Sequence, residues 1–239
     1  MEHEDESAPN ISLLLKEALV FRDWALARVR PQSRALPRVG QGAPVLTIPG
    51  FMAGDISMRQ MRADLRSADY VAEGWRQGVN KGARQDTLSR IDQRVQAMAD
   101  AAGRPVHLVG WSLGGLFARE YAKHHPEAVA SVTTMGTPFS GSMQANNAWR
   151  LYQLVAGHSV DAPPMPWHDE AKPAVPTFAL WSRADGVIAR GSARGTPEER
   201  DHAIELQCNH MAFAYSAEAT DAVIACLIEA EAELRRAGK

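Results

Sequence analysis

Short apolar runs alternate with stretches of helical periodicity along most of this chain. Residues 44–49 (Pro-Val-Leu-Thr-Ile-Pro) form one such run and stop at Pro49-Gly50. Runs of the same kind recur at 105–110, 128–134, 175–181 and 203–207. Between them, residues 85–102 place Leu88, Ile91, Val95 and Met98 at three- and four-residue steps and close on Gly103. Residues 113–124 and a long final stretch, 211–236, also read as helices. Unbroken apolar strands alternating with helices predict a parallel sheet covered on both faces, which is the α/β class. In such sheets the reactive groups gather at the carboxyl ends of the strands. The loops that follow each strand are therefore where chemistry is expected.

The first 43 residues follow a different pattern. An acidic tail opens the chain, and residues 11–30 space Ile11, Leu14, Leu15, Ala18, Leu19 and Ala25 as an amphipathic helix, followed by a Pro/Arg/Gly-rich linker. That stripe is expected to pack on its own domain or on a second copy of the chain, making a homo-oligomer through this helix one reading. Surface anchoring to a membrane, through Trp24 and the neighbouring cations, is the lesser alternative. The acidic start lacks the basic region of a secretory signal, and no run reaches 18 apolar residues. The expectation is a cytoplasmic protein with no integral membrane segment.

Composition narrows the chemistry without naming it. With 239 residues, 45% hydrophobic, the chain can bury a sizeable core. A net charge of −2 argues against a nucleic-acid surface. The two cysteines, Cys208 and Cys226, exclude a disulfide scaffold and any cysteine-rich zinc module. No phosphate-cradling or dinucleotide glycine motif is present, nor H-E-x-x-H or C-x-x-C, so no cofactor and no metal are expected. Arg supplies 21 of the 26 basic residues, which reads as coding bias rather than as arginine chemistry.

The strongest motif follows the run at 105–110. It is Gly110-Trp111-Ser112-Leu113-Gly114-Gly115, placed between a strand and a helix. A tight strand-to-helix turn holds such a serine in strained geometry with its hydroxyl exposed, and leaves room only for glycine on either side. The helix start also offers oriented N–H groups to developing negative charge. Ser112 is the candidate nucleophile.

Here the sequence resembles the α/β-hydrolase superfamily, and in particular its small serine esterases and lipases. The resemblance covers roughly residues 44–236 by order of elements. It implies a mostly parallel sheet of about six strands with helices on both faces. It also implies an acid and then a histidine after the serine in chain order. Asp185 lies in the loop after the strand at 175–181 and is followed by Gly186, which matches the acid position, although Asp-Gly is also an ordinary turn signal. Of the eight histidines, only His210 follows the last strand. The triad expected is Ser112, Asp185 and His210. Cys208 lies two residues before the proposed base and has no role in it.

Acyl transfer also needs two N–H donors for the tetrahedral oxygen. Leu113 follows the nucleophile and is one. The other belongs in the loop after 44–49, where Phe51 is the expected donor and Met52 the runner-up. Pro49-Gly50 stands there in place of the family's common His-Gly, and a plain turn remains the alternative. Gly136-Thr137-Pro138-Phe139-Ser140-Gly141 resembles a lipase segment that lines the site. Residues 139–172 read equally as a small lid-like insert of the hydrolase domain (44–239) or as a peripheral helix. Met52, Trp111, Phe139, Trp149 and Met211 are the candidate substrate-binding residues. They suit an uncharged, fairly hydrophobic ester as small-molecule substrate. An acyltransferase using the same triad is the competing function, and a non-catalytic binding module is the remote one.

Overall fold

The computed structural model describes residues 34–141 and 171–236, together with Pro9, Leu13, Pro164 and Gly238. The amphipathic stretch at 11–30, Trp149 and most of the insert at 139–172 lie outside the described residues. Six strands form one parallel sheet: β1 (Pro44–Ile48), β2 (Val71–Gly74), β3 (Val106–Trp111), β4 (Val129–Met135), β5 (Thr177–Ser182) and β6 (His202–Leu206), in the order β2-β1-β3-β4-β5-β6. The helices are α1 (Arg59–Ser67), α2 (Thr87–Ala102), α3 (Leu113–His124), α4 (Arg190–Arg194) and α5 (Ala217–Arg236). The sequence places five of the six strands. It does not mark β2, nor α1 before it.

Every residue of β1, β3, β4 and β5 is buried, because helices cover both faces. Alternate side chains enter opposite layers, as the two-residue period of a strand requires. Leu46, Ile48 and Leu108 meet Ile91 and Val95 of α2 and Phe117 and Tyr121 of α3. Val45 and Val109 face the other way, onto Met61 and Leu65 of α1 and Val223 and Leu227 of α5. The expected final helix at 211–236 is in two parts. A single 3₁₀ turn, Met211–Ala214, precedes α5, and the Ser216 hydroxyl accepts the Ala219 N–H at 3.2 Å to start the helix proper. Ser216 is thus an N-terminal cap that splits one periodic run. Among the described residues, no helix is long and apolar enough to cross a membrane.

The chain leaves β1 for the edge at β2, then returns past β1 to β3. The order of strands therefore reverses between β1 and β3, and their carboxyl ends splay into a crevice. The loop after β1 and the turn after β3 border that crevice, and the turn holds Ser112.

Near the amino ends of the strands a buried polar group pins α5 to the sheet. His107 on β3 lies 2.7 Å from Ser131 Oγ and 2.8 Å from Glu231 Oε1, and Arg104 also pairs with Glu231. A carboxylate can only accept, so His107 Nε2 donates to Glu231 and Nδ1 accepts the Ser131 hydroxyl. Burial holds the His107 imidazole below its ordinary value of 6.5, so it stays neutral. The hydrogen bond from His107, with help from Arg104, depresses the Glu231 carboxyl from 4.5 to about 2. Both shifts act in the same direction. Only the unfolded chain takes up a proton at His107 as pH falls below 6.5, and Glu231 loses its stabilising charge as pH falls from 4.5 toward 2. Stability should therefore decline on acidification, and Glu231→Gln should flatten that decline. Urea midpoints measured from about pH 6 to about pH 3 check this, and equal slopes for the two proteins would contradict it.

Candidate active site

Ser112 sits at φ 54° and ψ −123° between β3 and α3. A left-handed serine is uncommon and costs free energy, so the surroundings must hold it in place. Three hydrogen bonds do so. The Ser112 N–H donates to the Met135 carbonyl at 2.8 Å, and the Ser112 carbonyl accepts from Gly115 N and Thr137 Oγ1, both at 3.0 Å. Gly110 has no room for a side chain, since a Cβ there would run into the Gly115 backbone. The glycine pattern read from the sequence is thus a steric requirement of this turn. Ser112 itself is half-buried.

Asp185 and His210 come from the loops after β5 and β6. His210 Nδ1 lies 2.8 Å from Asp185 Oδ2, and both residues are buried. The other carboxylate oxygen, Asp185 Oδ1, accepts the N–H groups of Val187 and Ile188, each at 2.8 Å. The aspartate is fixed at both oxygens, and the imidazole is fixed through it. Gly136, just after β4, passes so close that a Cβ there would lie 2.9 Å from Asp185 Oδ2 and 3.0 Å from His210 Nδ1. Its φ of 52° is a second reason for glycine at this position.

The candidate substrate-binding residues fall into different settings. Trp111 is 3% exposed, and its indole N–H donates to the His210 carbonyl at 3.1 Å. It lies beneath the site and ties the His210 loop to the nucleophile turn. Phe139 is half-buried, with the Arg119 guanidinium 4.0 Å from its ring centroid. Met211 is half-buried against the α5 layer, and Met52 is 49% exposed. Two of the other large exposed hydrophobic side chains, Ile56 (48%) and Val79 (49%), lie on neighbouring segments, and Gly54 packs against Gly78 and Val79.

The two oxyanion candidates separate by their N–H groups. Leu113 is the first residue of α3, whose N–H has no partner within the helix. The Met52 N–H, the runner-up, is taken by the Asn80 carbonyl at 2.7 Å. Asn80 itself, buried and bonded repeatedly to this loop, has no signal in the sequence. Among the described residues, no cluster of three or more His, Cys, Asp or Glu is arranged to hold a metal ion. Cys226 is buried, and burial raises its thiol to about 12, far from a nucleophile at neutral pH.

Known proteins resemble parts of this chain. Residues 84–186 match the family model described as the α/β hydrolase fold. The chain is similar to the pimeloyl-[acyl-carrier protein] methyl ester esterase of Vibrio cholerae serotype O1, at 30% identity over 114 residues, covering 48% of this chain and 44% of that one. It is also similar to a triacylglycerol lipase of Pseudarthrobacter phenanthrenivorans, at 49% identity over 47 residues, covering 20% of this chain and 15% of that one. The match thus spans less than half the length of these curated relatives. Among solved structures, a bacterial membrane phospholipase A superposes with a TM-score of 0.57 at 18% identity, covering 92% of this chain and 97% of that one. At that identity the likeness concerns the fold alone.

Proposed function

We propose, from the premise that this chain is an α/β hydrolase by fold, that it hydrolyses uncharged, fairly hydrophobic carboxylic esters through an acyl intermediate on Ser112. The observation that carries this reading is the buried 2.8 Å contact between His210 Nδ1 and Asp185 Oδ2, at the sheet edge that also presents Ser112. Asp185 holds the imidazole with its proton on Nδ1, so Nε2 is the basic nitrogen. Ser112 Oγ attacks the ester carbonyl carbon as His210 Nε2 takes its proton. The C–O bond to the alcohol then breaks, and the same proton passes to the leaving oxygen. A water that gives its proton to His210 Nε2 attacks the acyl carbon; the bond to Ser112 Oγ then breaks, His210 returns the proton to that oxygen, and the acid leaves. In both steps the carbonyl oxygen gains charge and accepts hydrogen bonds from Phe51 N–H and Leu113 N–H.

The apolar side chains bordering the loop after β1 support a hydrophobic substrate. Met52, Ile56 and Val79 are exposed there, and no cation is needed to neutralise an uncharged ester. A p-nitrophenyl ester series tests the reading, with Ser112→Ala as control. Each added methylene that becomes buried should raise kcat/KM about fourfold, from about 0.8 kcal/mol per methylene. The rise should continue until the rim is filled. A flat series, or a preference for an anionic hemisuccinate ester, would contradict the substrate class.

A further inference from the structure

The geometry points to Asn80 as the positioning residue of the oxyanion loop, an inference that rests on the ester-hydrolase reading above. Asn80 is fully buried. Its carboxamide Nδ2 donates to the Pro49 carbonyl at 2.8 Å, and its Oδ1 accepts the Gly82 N–H at 3.2 Å. Its main-chain carbonyl accepts the Met52 N–H at 2.7 Å, and its main-chain N–H donates to the Ala53 carbonyl at 2.8 Å. One residue thus holds the 49–53 segment at three points. Two of these bracket Phe51, one at Pro49 before it and one at Met52 after it.

That bracketing has two effects on the chemistry. It takes the Met52 N–H out of competition with that of Phe51. It also sustains Met52 at φ 57°, a backbone state that a methionine does not adopt unaided. The direction of the Phe51 peptide is set between these two anchors. An oxyanion donor acts only when aimed within a few tenths of an ångström at the position the charged oxygen will occupy. The start of α3 passes close to the Pro49 carbonyl that Asn80 holds, since a Cβ on Gly114 would lie 2.7 Å from its oxygen.

The amide orientation is fixed by its partners. Pro49 O can only accept and Gly82 N–H can only donate, so Nδ2 and Oδ1 cannot exchange places. An aspartate has the same shape but sets an oxygen against the Pro49 carbonyl. In Asn80→Asp the repulsion should turn the loop, lowering kcat about 100-fold with KM within about threefold. Protonation of the introduced carboxyl restores a donor. The ratio of variant to wild-type kcat should therefore rise as pH is lowered from about 8 to about 5.5, because a carboxyl among oxygens titrates above the usual range. A residue that merely stabilises the fold would not show this pH-dependent recovery relative to wild type.

The measurement is steady-state hydrolysis of a p-nitrophenyl ester by wild type, Asn80→Asp and Asn80→Ser, with thermal unfolding of all three. Loss of kcat in folded variants, with acid recovery only in Asn80→Asp, is the expected result. A folded variant with kcat within twofold of wild type overturns the role of Asn80 while leaving the hydrolase reading intact. Unfolding of both variants at about 15 °C assigns Asn80 to the fold instead and overturns the role equally. No turnover by the wild-type chain, and no labelling of Ser112 by a fluorophosphonate, overturns the hydrolase reading and the Asn80 role together.

Discussion

Ser112→Ala should lower kcat toward a p-nitrophenyl ester by about 10⁴- to 10⁶-fold and leave KM within a few-fold, as expected when an interaction made only during reaction is removed. The size of the effect follows from chemistry rather than folding. Alanine keeps the Cβ that serine already holds at φ 54°. The main-chain bonds to Met135, Gly115 and Thr137 involve no part of the hydroxyl, so they persist. On the proposed mechanism only the nucleophile and its proton are lost. The proposed oxyanion donors and the apolar rim remain, and they should sustain a residual rate over water. Unaltered thermal unfolding with activity lost is the expected combination. Activity within tenfold of wild type would place the nucleophile elsewhere.

Asp185→Asn should give the second large effect, a loss of about 10⁴-fold in kcat. Its argument lies in the two carboxylate oxygens. Oδ1 accepts the Val187 and Ile188 N–H groups, and an asparagine preserves those bonds only by keeping its carbonyl oxygen there. Its NH₂ group is then forced toward His210 Nδ1, where Asp185 Oδ2 now lies at 2.8 Å. Facing a donor, Nδ1 must accept, and the ring proton moves to Nε2. The imidazole can then no longer take the Ser112 proton, although nothing around it has moved. Such a variant should fold normally and regain little rate at high pH. A loss smaller than about 100-fold would show that the tautomer is not what Asp185 controls.

The legible part of this molecule is the part built on sharp local constraints. The serine turn was readable because Gly110 and Gly114 are demanded by contact, and the turn stands between an unbroken apolar strand and a helix. Asp185 and His210 were readable by their places after the last two strands. β2 was not. It has four residues, Val-Ala-Glu-Gly, and its Val71 is 48% exposed at the sheet edge, so it carries no apolar run. α1 was missed because Arg62 and Asp64 are buried in it beside Met61 and Leu65 and break up the apolar face. Arg62 donates to Thr47 Oγ1 at 2.9 Å and also to the Asp55 carbonyl. Arg34 pairs with Asp64 at 3.1 Å. Trp111 read as a pocket residue from its place beside Ser112, whereas its indole belongs to the His210 carbonyl. Asn80 was invisible for a general reason. Its importance lies in which distant backbone atoms it meets, and a single buried amide in a glycine-rich loop has no periodicity and no motif.

Direct capture of the acyl intermediate tests the central claim most plainly. The wild-type chain is mixed with excess p-nitrophenyl ester, quenched in acid within the first turnovers, and weighed intact before peptide mapping. A mass increase equal to one acyl group, carried by the peptide containing Ser112 and absent from Ser112→Ala, is the result predicted. Turnover with no acylated chain in the quenched sample, or an acyl group on another residue, would contradict it.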